Sequence, residues 1–147
     1  MKTNDQITVV GTPRIVLKDK DGHVKQDFSV PNLVVTTGKG FIASRMVGTA
    51  ANVMSHMSVG TNATAAVVGD TGLQAELVRV ALTSSGVAAA VVTYAATFNT
   101  GVGTGAITEA GIFNASSGGT MLCRTTFPVV NKGADDTMSI TWTITIQ

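Results

Sequence analysis

The stretch Met138-Ser139-Ile140-Thr141-Trp142-Thr143-Ile144-Thr145-Ile146-Gln147 alternates without a break. Met138, Ile140, Trp142, Ile144 and Ile146 share one parity, and Ser139, Thr141, Thr143 and Thr145 share the other. Successive side chains of a strand point to opposite faces of its sheet, so this is a half-buried strand with one apolar and one hydroxyl-lined face. The apolar set, Ile140, Trp142 and Ile144, belongs in a core.

The same grammar extends toward the N-terminus. Asn131-Lys132-Gly133-Ala134-Asp135-Asp136 is a turn into the terminal strand. Before it, Ala106 to Asn114 and Thr120 to Val130 form a hairpin across Ala115-Ser116-Ser117-Gly118-Gly119, with Ile112, Phe113 and Phe127 as core residues. Val78 to Ser84 and Val87 to Phe98 read as another hairpin, turning at Ser84-Ser85-Gly86. Asn99 to Gly105 is a Gly/Thr loop, and Asn52 to Val59 is a further strand. Near the N-terminus, Ile7 to Lys18 and Val24 to Val35 pair across Asp19-Lys20-Asp21-Gly22, where Asp-Gly supplies a tight turn. Pro13 and Pro31 interrupt these two strands, as prolines do at edges and bulges.

Helical signals are short. Phe41, Ile42, Arg45 and Met46 allow one short helix within Gly38 to Thr49. Thr71 and Gln74 have capping-box spacing, so Asp70 or Thr71 is expected to cap a single turn. About eight strands with one or two short helices define an all-β chain, an antiparallel sandwich of jelly-roll type. Its 147 residues fit one domain, with residues 1–35 as an N-terminal hairpin or arm available to neighbouring subunits.

Composition narrows the function classes. Charged residues make up 13% of the chain, against about 25% in an average soluble domain. Net charge is +1, and no basic stripe with interleaved aromatics marks a nucleic-acid partner. No run approaches the roughly 18 apolar residues of a membrane helix, and Met1 to Asp5 carries no apolar signal core. The single cysteine, Cys123, excludes an intrachain disulfide and reads as a small packed residue.

Chemistry-bearing constellations are weak. Asp19-Lys20-Asp21-Gly22 lacks the third carboxylate and the glutamate of a calcium loop. His23 and His56 have no second ligand close in sequence. Gly101-Val102-Gly103-Thr104-Gly105 lacks the Lys-Ser/Thr of a phosphate loop, and no Gly-x-Ser-x-Gly elbow occurs. No catalytic, cofactor or metal site is therefore expected, and no small-molecule substrate. Glu109 stands in an otherwise apolar strand and needs a cationic partner if it faces inward, because an isolated buried carboxylate is very costly. Arg124 lies on the facing strand and Arg79 elsewhere, so an inward Glu109 pairs with Arg124 or with Arg79, and the alternative is two solvated edge charges.

Three blocks carry a family likeness. They are Met57-Ser58-Val59-Gly60-Thr61-Asn62 with Gly69-Asp70-Thr71-Gly72-Leu73, then Gly105-Ala106-Ile107-Thr108-Glu109-Ala110-Gly111-Ile112-Phe113-Asn114, and Lys132 through Trp142. Over roughly residues 50 to 147 the chain resembles structural proteins of tailed-bacteriophage virions, in particular capsid decoration (cement) proteins. The Glu-x-Gly-Ile-Phe hairpin is similar to ones in tail-fibre and baseplate proteins as well. The resemblance implies a β-sandwich body, homotrimers on the capsid surface, the major capsid protein as partner, synthesis in the host cytoplasm, and no catalysis. A tail, baseplate or fibre-attachment component is the alternative role. A carbohydrate-binding sandwich is the alternative class, disfavoured by an aromatic content of only 5%.

Overall fold

The computed structural model describes residues 5–49 and 51–147. In chain order these form β1 (Val9–Lys18), β2 (Val24–Ser29), β3 (Leu33–Val34), α1 (Thr36–Arg45), β4 (His56–Gly60) and β5 (Glu76–Ala81). There follow β6 (Ser84–Ala88), β7 (Val91–Phe98), β8 (Gly105–Phe113), β9 (Met121–Lys132) and β10 (Thr137–Ile146). Two five-stranded antiparallel sheets result, ordered β2-β1-β10-β7-β6 and β3-β9-β8-β4-β5. The chain is an all-β sandwich.

The terminal alternation sits at the centre of the first sheet, with β10 between β1 and β7. Met138, Ile140, Trp142 and Ile144 are all buried against the second sheet, among Ile15, Leu17, Met57, Val59, Phe98, Ile107, Ile112 and Val130. Each large apolar side chain buried in this way contributes on the order of 1.5–3 kcal/mol by removing apolar surface from water. Phe127 belongs to the same core and tilts against Phe28 with ring centroids 6.1 Å apart.

Phe113 is buried elsewhere, in a small cluster with Val35, Met121 and Leu73. This cluster joins Leu73 of the Thr61–Ala75 segment to Val35, the residue that precedes α1; α1 itself packs Phe41 and Ile42 against the main core. Helix α1 approaches β9 closely because Gly38 has no side chain: a Cβ there would collide with the backbone of Leu122. The Thr37 hydroxyl donates to the Met121 carbonyl at 3.2 Å.

Several boundaries differ from the sequence expectation, each for a local reason. Strands number ten, not about eight, among the described residues. Part of the excess arises at Pro31-Asn32, where the expected strand Val24–Val35 divides: β2 pairs with β1, while β3 crosses to pair with β9 in the other sheet. The expected hairpin turning at Ser84-Ser85-Gly86 does not form, because β5 pairs with β4 in one sheet and β6 with β7 in the other. Residues 84–86 are strand, and the tight turn is Ala89-Ala90. The helix begins at Thr36, two residues early, and the expected single turn capped at Asp70 or Thr71 is irregular loop. The expected hairpin within residues 1–35 does form, and β1 is an interior strand running beside β10 along its length. Residues 1–4 of that segment lie outside the described residues.

Ala89 holds a backbone φ of 51°, in the left-handed region where an L-residue meets a steric penalty of roughly 1–2 kcal/mol and glycine does not. Ala89→Gly is expected to stabilise the protein by roughly 0.5–1 kcal/mol, read as a rise in the urea midpoint at constant slope. A lowered midpoint would show that the turn carries no strain.

Candidate functional site

Two carboxylates and one guanidinium are buried together under the cover of the second sheet. Arg124 and Glu109 are each 0% exposed, and Asp70 is nearly so. Within the β8–β9 ladder Glu109 faces Thr126 and Arg124 faces Gly111, so the two charges are diagonal neighbours on one face. Gly111 supplies no side chain between them. A register shift between Ile107 and Glu109 sets this up. It lets Ile107, Ala110 and Ile112 all join the main core while Glu109 turns to the outer face, beneath the loop.

The bonds of this cluster are dense. Arg124 places Nη2 2.8 Å from Glu109 Oε2 and donates through Nε to the same oxygen at 3.0 Å. Its Nη1 donates to Asp70 Oδ2 at 3.1 Å, and its Nη2 to the Thr64 carbonyl at 3.0 Å. Glu109 Oε1 accepts the Ala75 N–H at 2.7 Å and the Asn62 N–H at 3.4 Å, while Oε2 accepts the Gln74 N–H at 3.0 Å. Asp70 accepts from the Val67 N–H and from the Gln74 amide. The loop ends are also tied directly, Thr61 N–H to Ala75 carbonyl at 3.0 Å. Gly60 is required beside them, since a Cβ there would strike the Ala75 carbonyl and Glu109. With both carboxylates accepting several donors and the guanidinium spread over two acids and a carbonyl, these groups are engaged in holding the Thr61–Ala75 loop onto the sheet. An acid or base needs a free lone pair or proton within reach of a substrate; the bonds here consume that capacity.

Of the two expected pairings, Glu109–Arg124 is the one that exists. Arg79 instead forks onto Glu76, Nε to Oε1 at 2.8 Å and Nη2 to Oε2 at 2.9 Å. Its guanidinium carbon lies 3.6 Å from the centroid of the Phe113 ring, and Nη1 donates to the carbonyls of Ala115 and Gly118, pinning the β8–β9 turn. The hydrogen bond from Arg79 holds the Glu76 carboxyl below its ordinary range.

A second charged group closes the other end of the sandwich. Lys132 is buried and donates to the Asn99 carbonyl at 2.9 Å, and burial pushes its ammonium pKa down. Asp136 accepts from Lys25 Nζ at 2.8 Å and from the Gly133 N–H at 2.7 Å. The Lys25 hydrogen bond, followed by that of Gly133, holds the Asp136 carboxyl low.

The remaining sequence candidates are placed as follows. Ligand atoms of Asp19, Asp21 and His23 lie within 4.8 Å of one another. Asp19 Oδ1 accepts the N–H groups of Asp21 and His23, which is ordinary hairpin-turn bonding. His56 Nδ1 is 2.8 Å from the Ser55 hydroxyl at the mouth of an open depression bordered by Asn52 and Asn114. Cys123 is fully buried opposite Ile112, and burial pushes its thiol pKa up, away from nucleophilic use. Asp70 was missed as a partner of Arg124; its sequence signal was capping-box chemistry, and that chemistry serves a loop here. No protein-family model, curated protein or solved structure matches the chain.

Arg124→Ala leaves two carboxylates buried without their cation, and a loss of about 3–5 kcal/mol is expected in urea unfolding; a loss under about 1 kcal/mol would remove the cluster as a stabilising element. For Asp136 the depressed native pKa means that its stabilisation is present above the unfolded-state value near ~3.9 and is lost as pH falls below it toward the native value. Asp136→Asn is therefore expected to give a shallower acid-side decline in stability than the parent, measured by thermal unfolding from pH 6 down to about pH 2. Parallel declines would contradict this.

Proposed function

We propose that the chain is a bacteriophage virion structural protein, a capsid decoration (cement) protein that stabilises the head by binding the major capsid protein. The family resemblance over residues 50–147 motivates the reading. The observation that carries it from the structure is the use made of scarce polarity. The buried charged residues Glu109, Arg124, Asp70, Lys132 and Asp136 are all spent on fixing loops to the sandwich. Apolar side chains are meanwhile left at the periphery: Met46 is 85% exposed, Val87 74% and Val53 62%. A rigid body with apolar contact points suits a subunit whose free energy of use comes from many repeated contacts. In a shell each contact need be worth only a few kcal/mol, because neighbouring contacts reinforce one another.

On this reading the partners are the major capsid protein and further copies of the chain, arranged as homotrimers at the capsid surface, and the protein works by binding, without cofactor. The test is quantitative mass spectrometry of purified particles. Hundreds of copies per particle are expected for a coat over the head. Six to a few dozen would move the protein to the tail or baseplate, and absence from the particle would overturn the proposal.

A further inference from the structure

Among the described residues the sandwich leaves four strand edges, β2, β6, β3 and β5. Exposed edges carry unpaired backbone groups and are normally blunted by charge, proline or brevity. Three of the four are. β2 contains Lys25 and Asp27, β5 contains Glu76 and Arg79, and β3 has two residues. β6, Ser84-Ser85-Gly86-Val87-Ala88, has no such device, and every one of its residues is exposed. It lies in a stretch, Val80 to Thr108, with no Asp, Glu, Lys, Arg or His at all.

The direction of its backbone groups follows from the ladders. Ala90 accepts the Ile146 N–H, so the even residues of β7 bond to β10 and the odd ones, Val91, Thr93 and Ala95, bond to Ala88, Gly86 and Ser84. The N–H and C=O groups of Ser85 and Val87 therefore point outward. Their side chains lie over an apolar groove of about 260 Å³, lined also by Val53, Met54, Val92 and Tyr94.

We propose that β6 is an edge through which two copies of this chain pair, antiparallel and two-fold symmetric about Gly86. The second copy is favoured over a charged partner because this region offers no ion to complement one, whereas two uncharged edges meet without repulsion or loss of ionic hydration. The register is self-complementary. Setting Ser85 opposite Val87 of the second copy lets both outward-facing residues exchange hydrogen bonds with their counterparts, and it lays that valine over the groove. Gly86 then faces its own copy across a non-hydrogen-bonded position, with Cα atoms about 4.5 Å apart. This contact is independent of the virion reading and leaves other surfaces free for three-fold or shell contacts.

The test is cross-linking of the full-length chain. A Cβ at Gly86 meets nothing within 4 Å, so Gly86→Cys is tolerated, and the native Cys123 is buried. The separation across the axis lies within disulfide range. Under a glutathione redox buffer, Gly86→Cys is expected to form a covalent dimer at least ten times faster than Val24→Cys, a control on the exposed β2 edge. Adding Val87→Lys to Gly86→Cys is expected to slow that cross-linking by a similar factor, with circular dichroism unchanged. Equal rates for the two cysteines, or a rate indifferent to Val87→Lys, would overturn the pairing.

Discussion

A carboxylate with no access to water must have its charge answered at hydrogen-bonding distance, and Glu109 is answered from two directions. Arg124 approaches along the sheet, and the N–H groups of Asn62, Gln74 and Ala75 descend from the loop above. The desolvation of such a pair is repaid only when the remaining lone pairs and protons are also satisfied, and Asp70 and the Thr64 carbonyl complete that requirement. The consequence is geometric. The segment Thr61–Ala75 cannot lie elsewhere without stranding an ion, so it is fixed as an Ω-like cover with its ends bonded together. Gly60 is demanded where a side chain would separate cover from sheet.

That cover makes the two sheets unlike one another. The second sheet has the main core on one face and the Thr61–Ala75 loop over Glu109 and Arg124 on the other, which is why β8 and β9 are buried along most of their length. The first sheet keeps a bare outer face, on which Val10, Thr145 and Val91 share one row and Thr12, Thr143 and Thr93 the next. Buried and exposed charge are separated: the first sheet carries its ions at the β1–β2 side, with Arg14 and Asp27 paired in solvent. The ions Glu109, Arg124, Asp70, Glu76 and Arg79 are packed on the covered side, and the bare sheet ends in the uncharged β6–β7 hairpin.

Sequence patterning read the hairpin of β8 and β9 well because both strands flank a glycine-rich turn and the turn sets the pairing. Counting from that turn brought Arg124 near Glu109, and the diagonal relation needed only a tolerance of two residues. Patterning failed at Ser84-Ser85-Gly86, which has turn composition yet runs as strand. There the deciding factor is which sheet each neighbour joins: β5 is claimed by β4 and β6 by β7, and the chain must cross between layers at Leu82-Thr83. It failed again at Thr71 and Gln74, whose capping spacing was real but where the backbone N–H of Gln74 is claimed by Glu109 and its side-chain amide by Asp70.

By itself the sequence determined the β class, the apolar faces that form the core, and the need of Glu109 for a cation should it face inward. These are properties of period-two patterning and of single-residue solvation, and both act locally along the chain. Tertiary structure alone decided which arginine answers Glu109, that Asp70 joins them, that Arg79 turns to Glu76 and Phe113 instead, and that β6 is left as an unguarded edge. Each of these depends on which strands lie side by side in space, and that is set by the docking of two sheets and a loop whose contacts are distant in the chain.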